Sequence, residues 1–214
     1  IVASGYAAVW ARENTREALF SAMQRREVYA TTGSRITVRF FGGWEYKSTD
    51  IEQPAYLDVA YSKGVPMGGD LTAAPKGSAP KFMLMAAKDP DGANLDRVQL
   101  VKGWLESDGS MGEKVYDVVW SGKRLPDAES GKLPSVGYTV NLSDASYNNS
   151  IGATSLSAVW RDPDFDPQEH AFYYLRVLEI PTPRWTAYDA QFFGLDLPDE
   201  IPMVIQDRAY TSPI

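Results

Sequence analysis

Thr31-Thr-Gly-Ser-Arg-Ile36-Thr-Val-Arg-Phe-Phe-Gly-Gly43 is the stretch on which the fold turns. From Ile36 the hydrophobic period is two: Ile36, Val38 and Phe40 fall on one face, Arg35, Thr37, Arg39 and Phe41 on the other, and Gly42-Gly43 stops the run. This is the pattern of a strand, and alternation fixes which face is buried. Ile36, Val38 and Phe40 are therefore expected in the core with Leu84, Val119 and Leu175. Similar short runs follow at 56–61, 81–87, 97–104, 115–120, 138–142, 156–160 and 171–180. Between them lie breakers such as Lys63-Gly64, Gly68-Gly69, Asp89-Pro-Asp-Gly92, Asp108-Gly109, Ser121-Gly122 and Asn148-Asn149. Many short strands with no helix between them predict a mainly β chain, an antiparallel β-sandwich of the immunoglobulin or fibronectin kind.

Upstream of this stretch the period is helical. Asn14, with Glu17 three residues later, reads as an N-cap pair opening a helix over 14–27, packed through Leu19, Ala22 and Met23. Arg25 and Arg26 close it. Basic residues there complement the helix dipole as a solvated end, with binding of an anion as the alternative. Downstream, Pro181, Pro183, Pro198 and Pro202 argue against a central strand and for an extended tail wrapping the surface. Residues 66–80 and 122–136 read as long loops. The expected organisation is thus 1–33 helix and linker, 34–180 sandwich and 181–214 Pro-rich tail.

The 214 residues are 44% hydrophobic, enough for a sizeable core. The longest apolar runs, such as 82–87, are far too short to span a membrane. A net charge of −7 has the wrong sign for holding a phosphate backbone, so nucleic acid is not an expected partner. The lack of cysteine removes thiolate metal sites and disulfides without identifying a compartment. The only histidine, His170, speaks against a His-based metal site or a Ser-His-Asp arrangement made by this chain alone.

Neither a dinucleotide-binding nor a P-loop glycine pattern occurs. Asp162-Pro-Asp-Phe-Asp-Pro167 sets Asp162, Asp164 and Asp166 at alternate positions, a spacing that suits calcium but lacks the glycine and distal glutamate of an EF-hand loop. A plain turn is the simpler reading. Arg176 lies mid-strand on a face with Phe172, Tyr174 and Leu178 and needs a carboxylate from another element. Arg184, Trp185 and Tyr188 form an aromatic and cationic group suited to stacking on a sugar, although packing is the commoner fate of tryptophan.

Three stretches carry a resemblance: 8–20 (Ala8-Val-Trp-Ala-Arg-Glu-Asn-Thr-Arg-Glu-Ala-Leu-Phe20), 25–36, and 171–185, closed by 208–214. Together with 98–104 and 160–167 they resemble the C-terminal part of the domain of unknown function 3604 family. Thr15, Arg16, Tyr29, Thr32 and Arg35 belong to its recognisable pattern. Members resemble metal-dependent hydrolases of the polymerase-and-histidinol-phosphatase type, with metal motifs upstream of the Thr-Arg-Glu helix. The resemblance implies that this chain is an accessory fragment, inactive alone and holding no cofactor, whose parent uses divalent metal ions. Its expected partner is the missing N-terminal catalytic domain, met through Tyr6, Trp10, Arg12, Arg16 and Phe20, with pairing of two copies through any apolar remainder. The competing expectation is a carbohydrate- or small-ligand-binding module using Arg184, Trp185 and Tyr188.

Overall fold

A computed structural model describes residues 5–72, 74–106 and 108–214; Ala73, within the loop expected at 66–80, and residues 1–4 of the N-terminal segment lie outside the described residues. In chain order the elements are β1 (Tyr6–Val9), α1 (Arg16–Gln24), β2 (Val28–Thr31), β3 (Thr37–Gly43), a 3-10 turn (Ser48–Asp50), α2 (Tyr56–Lys63), β4 (Gly64–Pro66), β5 (Lys81–Ala87) and β6 (Leu95–Leu105). They continue with β7 (Met111–Trp120), β8 (Ser155–Arg161), β9 (His170–Glu179), β10 (Thr182–Pro183), α3 (Trp185–Phe193), β11 (Val204–Ile205) and β12 (Arg208–Thr211).

Two antiparallel sheets face each other, one ordered β1-β2-β12-β9-β6-β7 and the other β4-β3-β5-β8; β10 and β11 make a small separate ribbon. The core is the space between the sheets. Ile36, Val38, Phe40, Phe82, Leu84 and Leu156 from one sheet meet Val98, Leu100, Tyr173, Leu175, Val177 and Ala209 from the other, with Val119 packed at the margin. The sandwich and the inward face of β3 are as the alternation predicts. The outer face of β3 is buried as well: Phe41 joins Tyr46, Ala60 and Met83 in a second cluster under α2.

Several local expectations give way. Residues 56–61 form α2 rather than a strand, because Tyr56, Leu57 and Ala60 fall on one helical face and bury it against Phe41 and Met83. Residues 138–142 stay irregular apart from a single Asn141–Ser146 bridge, since Asn141 and Asp144 each accept backbone N–H groups two residues on and turn the chain. Helix α1 starts one residue later and ends earlier than expected. Thr15, not Asn14, is its N-cap, its hydroxyl accepting from the Ala18 N–H at 3.3 Å, and the packed face is Ala18, Leu19 and Ala22, leaving Met23 outward.

The tail beyond 180 is not an extended wrap. It makes a ribbon, a helix and then β12, which lies inside the larger sheet between β2 and β9. Arg208-Ala-Tyr-Thr211 itself lacks proline, so it donates to both ladders, and Ala209 and Thr211 turn inward. Arg176 bonds an amide instead of a carboxylate: its Nε donates to Gln99 Oε1 at 2.8 Å, and Gln99 in turn donates to Asp117 at 2.8 Å.

Candidate functional site

The short edge strand β4 pairs only with Phe41–Gly43, so the carbonyl of Val38 further along β3 has no partner in that ladder. Trp10, just past β1, fills the gap by donating its indole N–H to Val38 O at 2.9 Å. This seats the indole at the open side of the sandwich, where α1, β3 and α2 converge.

Helix α1 ends in a Schellman arrangement: the Arg26 N–H bonds Met23 O at 2.9 Å and the Glu27 N–H bonds Ala22 O at 3.1 Å. Its left-handed position, usually glycine, is Arg26 at φ 60°. The reversal aims Glu27 inward, with its side chain 5% exposed. There its carboxylate accepts the Tyr61 hydroxyl and faces Arg25 Nη2 at 3.4 Å and Arg39 Nη1 at 3.7 Å. The Arg39 guanidinium lies 3.3 Å over the Trp10 ring and donates to Tyr61 Oη at 3.2 Å. Burial, then the bond to Glu27, raises the Tyr61 hydroxyl above its ordinary range, so it remains a donor to the carboxylate.

With Ala11, Arg12 and Pro66 these groups line a pocket of about 640 Å³. Three guanidinium groups stand against one carboxylate, a local excess of two positive charges in a chain whose net charge is −7. Such a pocket can hold an anion, each guanidinium offering a planar fork of donors.

Beside it the outer face of the larger sheet is apolar where β1, β2 and the neighbouring Tyr210 of β12 lie. Ala7, Val9, Val28, Ala30 and Tyr210 line a groove of about 400 Å³ together with Met23 of α1. Phe20 and Met23 are 58% and 55% exposed, and with Arg16 they fall on one side of the helix at i, i+4 and i+7. Of the residues read as an interface, Trp10 and Arg12 therefore share the pocket, Arg16 and Phe20 lie on the exposed side of α1, and Tyr6 is exposed on the edge strand β1. Glu27, Arg39 and Tyr61 escape a reading by motif, because they converge from separate elements. Of the other pocket residues, Trp10 and Arg12 carried a signal through the resemblance and Arg25 as a basic residue at a helix end.

Arg184 caps the start of α3, its guanidinium 5.8 Å from the Trp185 ring. Trp185, Tyr188 and Phe192 are exposed along one side of that helix, while Thr186 and Ala187 face inward. The three aspartates spaced for a cation point to different protein partners. Asp162 is buried against Lys102 at 3.1 Å and the Tyr173 hydroxyl at 2.7 Å; Asp164 takes Lys114 at 2.6 Å and Tyr116 at 2.7 Å; Asp166 accepts the Gln168 N–H at 2.8 Å. Lys114 and Tyr116 together hold the Asp164 carboxyl below its usual range. Among the described residues no three acidic or histidine side chains are grouped for a metal ion. His170 is exposed at the start of β9, beside Glu169 on a smaller pocket.

Among the described residues no helix is long and apolar enough to cross a membrane. No curated protein and no solved structure matches the chain. The sequence model of one family, described as Protein of unknown function (DUF3604), matches residues 1–214, the whole chain, which therefore belongs to that family.

Proposed function

We propose that this chain is the C-terminal accessory portion of a metal-dependent hydrolase of the polymerase-and-histidinol-phosphatase type, inactive alone, and that it receives the catalytic domain on the face formed by β1, α1 and the Trp10 pocket. The observation that carries the docking face is the exposed apolar side of α1. Phe20 and Met23 stand exposed, Met23 lining the apolar groove, although a nine-residue helix draws its stability from tertiary contact. The resemblance of residues 8–20 and 25–36 supplies the kind of partner. Hydrogen exchange on the 214-residue chain and on its longer parent tests this: residues 6–23 gain protection in the parent, and equal protection in both overturns the docking face. Tight transition-metal binding or hydrolytic activity by the 214 residues alone overturns the accessory role.

The exposed aromatic stripe of α3 favours a second reading, a carbohydrate- or small-ligand-binding module using Arg184, Trp185 and Tyr188. A glycan panel probed with the chain and with Trp185→Ala separates the two. Binding that the variant loses supports this reading, and no binding removes it.

A further inference from the structure

We infer that the pocket of Trp10, Arg12, Arg25, Glu27, Arg39 and Tyr61 is a binding site for a small dianion, either a free oxyanion or the terminal dianionic group of a larger small molecule.

Charge is the first ground. Glu27 neutralises one of the three guanidinium groups, and among the described residues Arg12 forms no ion pair and Arg25 and Arg39 have no acidic partner besides Glu27. Like charges gathered in one pocket repel unless an anion joins them, and a group with two negative charges balances the excess.

Preorganisation is the second. Arg39 is only 16% exposed, seated over Trp10 at 3.3 Å and tied to Tyr61 at 3.2 Å, so its donors are held without a ligand. Tyr61 bonds Glu27, which in turn faces both Arg25 and Arg39, so this network fixes the floor of the pocket. Arg12 and the more exposed Arg25 stand at the rim, where they can fold over an occupant. A fixed fork below and exposed forks above suit an oxyanion with several acceptor oxygens, since guanidinium groups pair with such groups bidentately. Lysines would supply charge without this geometry, and none lines the pocket.

The inference stands apart from the hydrolase reading, because it concerns the 214-residue chain alone and its test reads anion affinity. The chain is titrated at constant ionic strength and about pH 8, where a phosphate group carries close to two charges, with inorganic phosphate, methyl phosphate and malonate. Binding is followed by the arginine Nε–H and tryptophan indole resonances and by calorimetry. We expect shifts at Arg39 and Trp10 for at least one dianion, and an affinity about tenfold weaker in Arg12→Gln and in Arg25→Gln, the loss of one charge-assisted contact each. Arg12→Gln, which removes no ion pair among the described residues, keeps the wild-type melting temperature without ligand. Methyl phosphate binding as well as phosphate assigns the site to a terminal group, and phosphate alone assigns it to a free ion. No binding of any of the three below about 10 mM, or binding that neither rim variant weakens, overturns the proposal.

Discussion

Glu179 closes strand β9 with its side chain buried and its Oε1 without a hydrogen-bond partner among the described residues. Burial, reinforced by the charges of Asp207 and Asp89, pushes its carboxyl up to about 7 from 4.5. The folded state therefore holds a proton that the unfolded chain has already released between those values. This contribution is fully present below pH 4.5 and is lost as pH rises through 7, about 3 kcal/mol in all. Glu179→Gln removes the dependence. Urea denaturation is expected to give a variant clearly more stable than the parent chain at about pH 8, with the gap shrinking towards pH 5; a gap of equal size at both is the contrary result. Arg26 poses a backbone case, since a side chain at φ 60° costs about 1 kcal/mol that glycine does not incur, while its ion pair with Asp70 is exposed and worth little. Arg26→Gly is expected to raise stability by about 0.5 kcal/mol, the gain trimmed by the looser unfolded chain. A loss above about 1 kcal/mol would show that the Asp70 pair matters more than the strain. Neither site was legible in the sequence. Glu179 reads as an ordinary residue near a strand end until Asp89 and Asp207 are brought to it by the fold, and Glu27 shows its role only once Tyr61 and Arg39 reach it.

At the scale of elements, β3, β5, β6, β8 and β9 were readable because an alternating run with one buried face has only one register that hides its apolar side. Helix α2 was not, because Leu57, Val59 and Tyr61 fit a period of two nearly as well as Tyr56, Leu57 and Ala60 fit a helix in so short a segment, and the packing against Phe41 decides between them. Strand β6 carries a feature that alternation does not foresee. Lys102 points inward, 3% exposed, against the wholly buried Asp162, and donates to the Asp164 carbonyl at 2.7 Å. Removing one partner strands the other's charge in the core. Lys102→Met is expected to cost about 3–5 kcal/mol, and adding Asp162→Asn to recover much of it. Chemical denaturation of both singles and the double checks this, and additive losses would mean that the two groups are not coupled.

At the scale of the whole molecule, the two ends of the chain build the middle of one sheet. β2 pairs with β12 and β12 with β9, so the larger sheet is contiguous only when residues 28–31 and 208–211 are both in place. Deleting residues 208–214 opens two inner ladders and uncovers Leu175 and Val177, and the truncated chain is expected to lose cooperative melting. A truncation that still melts cooperatively near the original temperature would show that the strand is peripheral. Composition and alternation alone determined the β-rich class, the inward face of β3, the positions of β3 and β5 to β9 and the breakers between them, because these depend on nearest neighbours and on a two-residue period; β1, β2, β4 and the strands after residue 180 were not foreseen. Only the tertiary structure decided that the last strand sits between β2 and β9, that Tyr56–Lys63 form a helix, and that three arginines surround one glutamate beside Trp10. Those outcomes rest on contacts between residues far apart in the chain, such as Glu27 with Tyr61 and Ala209 with Val177, whose energies no local pattern records.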